Sequence, residues 1–298
     1  MDCDNAAFNN EYIDNIIALS SSCKNYIIHR FGIKNNDKIK VVFNSVTDNP
    51  DSAAKRQAKM TAEKIKIVFA GGSAASKSPD VVVPIVNELC KSNLPFEFYW
   101  LGITTPPLKK FQPFKDIRLI LPNDERVIVT GLIPQQQAAE IIASCNVFLA
   151  PSRREGFPMA LLEAMRIGCI PIVSDFRIAN QEIIRDGING FIISHKDIKS
   201  FVDRLSDIIE NHANYKNVYE ASYKTFVEEL SFPVWRKCIY SIISRGALYH
   251  KQRRVMKKYA YKAVVNRFKL LDKYNLIENY MTEVLPCAIK FYKYYKNK

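Results

Sequence analysis

Short, almost wholly apolar runs alternate with helical stretches through the middle of this chain, and that alternation limits the fold more than any other feature. The runs are Ile65–Ala70, Phe96–Leu101, 126–130, Val147–Ala150, Ile170–Ser174 and 191–194. Helical patterns fall at Pro79–Cys90, Gln135–Ser144, 158–166, 182–185 and Ile198–Glu210. Runs apolar on both faces, joined by helical segments, predict an α/β fold: a doubly wound parallel sheet with helices on either side. Ser78 reads as the N-cap of the first of these helices, and Pro84 predicts a kink or a delayed start there. No internal repeat is present.

Doubly wound sheets bind ligands outside the carboxyl ends of their strands. Gly71-Gly72-Ser73, Gly131-Leu132 and the segment 151–158 all fall at such ends. The most informative stretch is Arg154-Glu155-Gly156-Phe157-Pro158-Met159-Ala160-Leu161-Leu162-Glu163. Glu155 sits in a Gly/Pro turn, and Glu163 lies one to two turns into the helix that Pro158 can start. A loop carboxylate, free amides at a helix start and a helical carboxylate make a cradle for a polar, anionic, hydroxyl-rich ligand. On spacing alone, an ordinary loop-to-helix junction with two surface glutamates fits equally well.

The surroundings decide between these readings. The stretch resembles the E-x7-E signature of the retaining glycosyltransferases of GT-B fold, the glycosyl transferases group 1 family. Upstream, Gly131-Leu132-Ile133-Pro134 and Cys145-Asn146-Val147-Phe148-Leu149-Ala150-Pro151-Ser152 resemble the family's glycine turn and its strand ending in Pro-Ser. Downstream, Gly168-Cys169-Ile170-Pro171-Ile172-Val173-Ser174 and Glu182-Ile183-Ile184-Arg185-Asp186-Gly187-Ile188-Asn189-Gly190-Phe191 match in order and spacing. The resemblance runs from about residue 11 to about residue 243. It implies that backbone groups of Gly131, Leu132 and Ile133 meet a nucleotide base. It implies that Glu163 bonds the ribose hydroxyls, that the amides of Gly156 and Phe157, in the turn closed by Pro158, meet the donor sugar, and that Glu155 lies by the reacting centre. Lys77 matches the lysine that neutralises the leaving diphosphate, in a loop opened by Gly71. Gly72 stands where the family has an arginine, and Ser78 replaces a glycine. Arg153 and Arg154 are the candidates to replace the missing cation; without one, the activity is weak, because a lost donor to a developing oxyanion costs about 10²–10³ in rate.

The resemblance divides the chain into three. Residues 1–59 are a remnant of the acceptor-side domain and a polar linker, 60–243 the Rossmann-like donor half of a GT-B fold, and 244–298 a helical tail. Ile17-Ala18-Leu19-Ser20-Ser21-Ser22-Cys23-Lys24 and Lys40-Val41-Val42-Phe43-Asn44-Ser45-Val46-Thr47 resemble the closing elements of the first domain, and the rest of that domain is expected to be missing. Ile16, Ile17, Ile27, Ile28, Val41, Val42 and Phe43 then dock on the main domain or stay partly exposed.

Charge belongs to the tail. From 232 to 298 there are 16 Lys/Arg against 3 Asp/Glu, the whole +13 excess of the chain. Met256, Ala260, Val264, Phe268 and Leu271 recur at helical spacing with Lys258, Lys262 and Lys269 opposite, while Arg253 and Arg267 intrude on the apolar side. An interfacial helix on anionic lipid and a solvated extension fit equally; nucleic acid is not expected, since no recognised module accompanies the charge. No apolar stretch reaches 18 residues, and the acidic, polar start is no secretory signal. Seven scattered cysteines without a C-x-x-C pair read as reduced cytosolic thiols. His29, His195, His212 and His250 lack ligand spacing and read as surface or locally bonded groups, so no metal and no cofactor are expected.

The expected function is transfer of a sugar from a nucleotide-sugar donor to a polysaccharide or lipid-linked acceptor, with retention, in cell-surface glycan synthesis, and the isolated chain is expected to be incomplete for it, binding donor but transferring sugar very slowly or not at all. The expected place is the cytoplasm, at the inner membrane face. The alternative is a non-catalytic nucleotide-sugar-binding module, or a truncated remnant that needs an acceptor-domain partner.

Overall fold

The computed structural model describes residues 13, 15–33, 36–47, 56–57, 59, 61–102, 121–176 and 180–251, the last seven by backbone alone. The helical pattern at 256–271, most of the linker, Cys3 and Cys287 lie outside the described residues. Contacts divide the chain into two compact units, Met1–Ile239 and Tyr240–Lys298.

Strands β3 (Ile65–Ala70), β4 (Phe96–Leu101), β5 (Val127–Val129), β6 (Val147–Ala150), β7 (Ile170–Ser174) and β8 (Phe191–Ile193) form one sheet in the order β5-β4-β3-β6-β7-β8. Every neighbouring pair is parallel. The sequential direction reverses between β3 and β6, so the topological switch point of this doubly wound sheet lies there. The predicted α/β class is the observed one.

Two cores explain the apolar runs. Side chains alternate across a strand, so Ile65, Ile67 and Phe69 join one buried cluster while Val68 joins the other. The first cluster packs the sheet against helix α2 (Pro79–Cys90) and helix α6 (Ile198–Glu210). The second packs it against α3 (Gln135–Ser144) and α4 (Met159–Met165). A short helix α5 (Asn180–Ile183) precedes β8.

Details differ from expectation. Helix α2 starts at Pro79 and runs over Pro84, with Val82, Ile85 and Val86 fully buried, so the start is not delayed; apolar packing offsets the one missing amide bond. Ser78 precedes it in a left-handed conformation, φ 62, and makes no side-chain cap. Pro158 sits just before α4 rather than in its first position. Helix α7 (Lys216–Thr225) and a π-helical turn (Phe226–Leu230) have no counterpart in the sequence reading, and helix α8 (Phe232–Lys251) begins before residue 244, the expected start of the helical tail. Helix α7 is polar overall, and its inward side is Val218, Tyr219, Ser222 and Thr225, a mixture without a clear apolar stripe.

The N-terminal residues form a small βαβ unit. Strand β1 (Ile16–Ala18) pairs in parallel with β2 (Ile39–Val41) around helix α1 (Ser21–Phe31). Ser20 caps α1, its Oγ accepting from the Cys23 amide at 3.0 Å, and Gly32 closes it at φ 58. Ala18, Ile27, Ile33 and Ile39 make its own core. Both expected outcomes for its apolar residues occur: Ile17 is 44% exposed, and Phe43 packs on the main domain, 5.7 Å from the Phe157 ring. Glu182 of α5 fastens the two bodies, accepting from the Ser21 amide at 2.7 Å and the Ser22 amide at 2.9 Å. Burial pushes the Glu182 carboxyl up, but these amides outweigh it and hold the group below its ordinary value.

Candidate active site

The two loops that leave the strands flanking the switch point build the site. After β3 the chain passes through Gly71 and Gly72. The Gly72 amide donates to Leu101 O at 3.0 Å, and its carbonyl accepts from Trp100 Nε1 at 3.0 Å. Gly72 has φ 54, and a Cβ there would lie 2.5 Å from Gly102 O. At Gly71 a Cβ would come within 2.2 Å of the Phe69 ring. Both glycines therefore have a reason inside the fold. A side chain at position 72, where the resembled family has arginine, would collide with the end of β4.

The loop then makes a 3-10 turn, Ala75–Lys77, and the β6 loop is stitched to it. The amides of Arg153 and Arg154 donate to Ser76 O at 2.9 and 3.3 Å. Lys77 Nζ meets Glu155 Oε1 at 2.7 Å. Ser152 Oγ donates to the same carboxylate oxygen at 2.7 Å, and Ser174 Oγ holds the Ser152 carbonyl at 2.6 Å. The two predicted catalytic residues thus form one ion pair, with Glu155 only 7% exposed and Lys77 29%. A cavity beneath them, lined in part by Phe69, Lys77, Ser152 and Glu155, holds about 20 Å³, room for a water and not for a sugar.

The other predicted residues lie on the β6 loop, on α4 and after β5. Arg153 is committed to Asp80 through both guanidinium nitrogens; that bond holds Asp80 below the ordinary carboxylate range. Arg154 is exposed and makes no ion pair among the described residues, so it is the open cation. Gly156 is exposed, Phe157 rests on Phe43, and Pro158 is buried. Glu163 on α4 is half-buried, makes no hydrogen bond among the described residues, and is pushed up by burial against the opposing pull of Arg166. Gly131, Leu132 and Ile133 follow β5, two strands and so about 10 Å from β3. Leu132 is 77% exposed, and Ile133 packs on the second core.

Sequence reasoning missed the supporting groups Ser76, Asp80, Ser152 and Ser174. Ser152 stood in a quoted motif, but nothing local marks a serine as a partner of a carboxylate three residues on. His195 is buried and bonded to Ser78 Oγ at 2.9 Å. Among the described residues no group of three or more His, Cys, Asp or Glu could hold a metal ion. None of their helices is long and apolar enough to cross a membrane. Cys23, Cys90, Cys145, Cys169 and Cys238 are free thiols.

Comparison with known proteins gives a family match, Glycosyl transferases group 1, over residues 51–225. The lipopolysaccharide 1,6-galactosyltransferase of Salmonella typhimurium is 30% identical over 125 residues, 41% of this chain and 35% of that protein. An uncharacterised 41.2 kDa protein of a Klebsiella pneumoniae cps region is 24% identical over 212 residues, 67% of this chain and 54% of that protein. The chain thus spans about a third to about half the length of these curated relatives. Among solved structures, Anabaena HepE in complex with UDP-glucose superposes with a TM-score of 0.63 at 15% identity, covering 79% of this chain and 65% of that one. At that identity the likeness shows the fold alone.

Proposed function

This chain belongs to the glycosyl transferases group 1 family, and we propose that it takes a sugar from a nucleotide-sugar donor and passes it, with retention, to a glycan or lipid-linked acceptor of the cell surface. The relative named a lipopolysaccharide galactosyltransferase supports the acceptor class, and the neighbour solved with UDP-glucose supports the donor class. The observation that carries the reading is the Lys77–Glu155 pair at the switch point, together with a half-buried Glu163 on α4 that makes no hydrogen bond among the described residues. A half-buried carboxylate on a helix, without a hydrogen bond among the described residues, is unfavourable until a ligand hydroxyl meets it. Glu163 would bond the ribose diol. Lys77 and Arg154 would face the diphosphate as its charge develops, and Glu155 would orient Lys77 beside the donor sugar. Backbone groups at Gly131, Leu132 and Ile133 would meet the base, and those at Gly156 and Phe157 the sugar. Gly131 and Gly156 support this: neither has a left-handed φ, and a Cβ at either would meet nothing within 4 Å. The fold gives no reason for glycine there; a ligand lying against the amides would.

A second reading is a donor-binding module that needs an acceptor domain from elsewhere. Two observations favour it. Gly72 leaves no room for a cation at its own position, and Arg154 is exposed, with no ion pair among the described residues to fix it. The described residues also supply one full sheet and only a two-stranded companion, whereas positioning of both reactants lowers a transfer barrier most. Such a partner would dock at the exposed Ile17 side of the small βαβ unit rather than along 41–43, where Val42 is buried and Phe43 is already taken by Phe157. The basic tail would touch anionic lipid at the inner membrane face.

A thermal-shift panel of UDP-, GDP- and ADP-sugars, followed by steady-state transfer to lipid-linked or polysaccharide acceptors, separates the readings. Binding with turnover near 1 s⁻¹, roughly the low end of ordinary enzymes, supports the self-sufficient enzyme. Binding without turnover supports the module. No stabilisation by any nucleotide sugar would overturn both.

A further inference from the structure

We propose that His195 is a positioning residue for Lys77, acting through Ser78. This rests on the reading of Lys77 as the diphosphate cation.

Ser78 is the one non-glycine residue with positive φ among the described residues. An L side chain is strained in that conformation and glycine is not. The resembled family has glycine at this position. Ser78 is also fully buried, 0% exposed, and a buried hydroxyl needs a partner. That partner is His195 Nε2, at 2.9 Å. His195 is itself fixed by two further contacts and by burial. Its amide donates to Asp175 Oδ1 at 2.9 Å, its ring stands edge-on to Phe176 at 4.8 Å, and it is 4% exposed. Burial first, and Arg153 second, lower its proton affinity, against Asp80 and Asp175, so the ring stays neutral at pH 7.

The backbone of Ser78 joins the two elements that place Lys77. Its amide closes the 3-10 turn onto Ala75 O at 3.2 Å, and its carbonyl accepts from Val81 and Val82 at the start of α2 at 3.0 and 3.2 Å. Lys77 is the preceding residue and reaches Glu155 from that turn. The left-handed step at Ser78 therefore sets where the ammonium goes, and the hydrogen bond to His195 compensates for a serine taking that step. Ser78 and His195 are not a nucleophile and its base: the hydroxyl has no exposed surface for a substrate to reach. The two positions are 117 residues apart in sequence, and the pairing exists only because the β3 loop reaches past the ends of β6 and β7 to the residues that follow β8.

The test is a double-mutant cycle between Ser78→Gly and His195→Ala. Probes are UDP with uridine and GDP with guanosine, using whichever pair binds. His195→Ala alone should weaken the nucleoside diphosphate about tenfold and the nucleoside less than about twofold. In the Ser78→Gly background the same change should cost less than about twofold for either, because glycine needs no bond to hold the turn. His195→Gln, which can still reach the hydroxyl, should recover part of the loss and serves where His195→Ala does not fold. Equal loss in both backgrounds would overturn the proposal, as would equal loss for nucleoside and nucleoside diphosphate. Thermal midpoints of the same four proteins keep the Ser78–His195 coupling measurable if Lys77→Ala leaves diphosphate binding intact. In that case the diphosphate reading of Lys77 fails, and with it the functional role, while a coupled midpoint still records the structural one.

Discussion

Removing the ammonium of Lys77 while leaving the carboxylate of Glu155 is the sharpest test of the site. Oε1 of Glu155 receives both Lys77 Nζ and Ser152 Oγ at 2.7 Å, and the side chain is 7% exposed. Lys77→Ala would leave that charge with a single hydroxyl. Breaking a buried pair on one side costs about 3–5 kcal/mol. Lys77 is 29% exposed, so water reaches the gap, and the expected loss is about 2–3 kcal/mol. In a unit of this size each kcal/mol moves the thermal midpoint by about 2–4 °C, so the midpoint should fall by about 4–12 °C. Glu155→Gln in the same chain should restore at least about 1 kcal/mol, because a carboxamide needs no counter-charge. Calorimetry at pH 7 on the single and double variants reads both numbers, and titration with a nucleoside diphosphate and its nucleoside reads function. The diphosphate should lose far more affinity than the nucleoside. Strict additivity of the two substitutions in stability would show that the pair is a surface contact and refute the reasoning.

Glu163→Gln should raise the midpoint at pH 7 and weaken nucleotide binding about tenfold. The folded carboxyl sits above its ordinary 4.5, so the charged form opposes folding at neutral pH and the opposition fades as pH falls through the folded value; a lower midpoint for the variant at pH 7 would contradict this. Gly72→Arg should not repair the missing cation: left-handed strain of about 1–2 kcal/mol and overpacking of about 1–3 kcal/mol against Gly102 O should lower stability without tighter diphosphate binding, and a stable variant with tighter binding refutes it. Glu182 sits below its ordinary 4.5, so its grip on α1 is present above that pH and lost as pH falls through the folded value. The protection factors of the Ser21 and Ser22 amides, taken against the intrinsic exchange rate at each pH, should fall on acidification and in Glu182→Gln, and unchanged protection would count against the clamp.

Local sequence determined the elements of the main sheet and where ligands would meet it. Runs such as Ile65–Ala70 are apolar on both faces because helices cover both, and a strand's two faces are written into alternate residues. Gly71, Gly72 and the Glu155 turn lie at strand ends because a doubly wound sheet has its loops there. Helix α7 was not legible, since its inward side mixes Ser222 and Thr225 with Tyr219, and only the body it packs on decides which residues are buried. The partners inside the site were decided by tertiary structure alone. Lys77 and Glu155 are 78 residues apart, Arg153 and Asp80 are 73 apart, and the Ser21 amide and Glu182 are 161 apart. No pattern of period 2 or 3.6 reports such a contact. The first two arise when strand order brings β6 beside β3, so that two loops distant in sequence leave the sheet through neighbouring strand ends, and the third arises where α1 of the small βαβ unit meets α5.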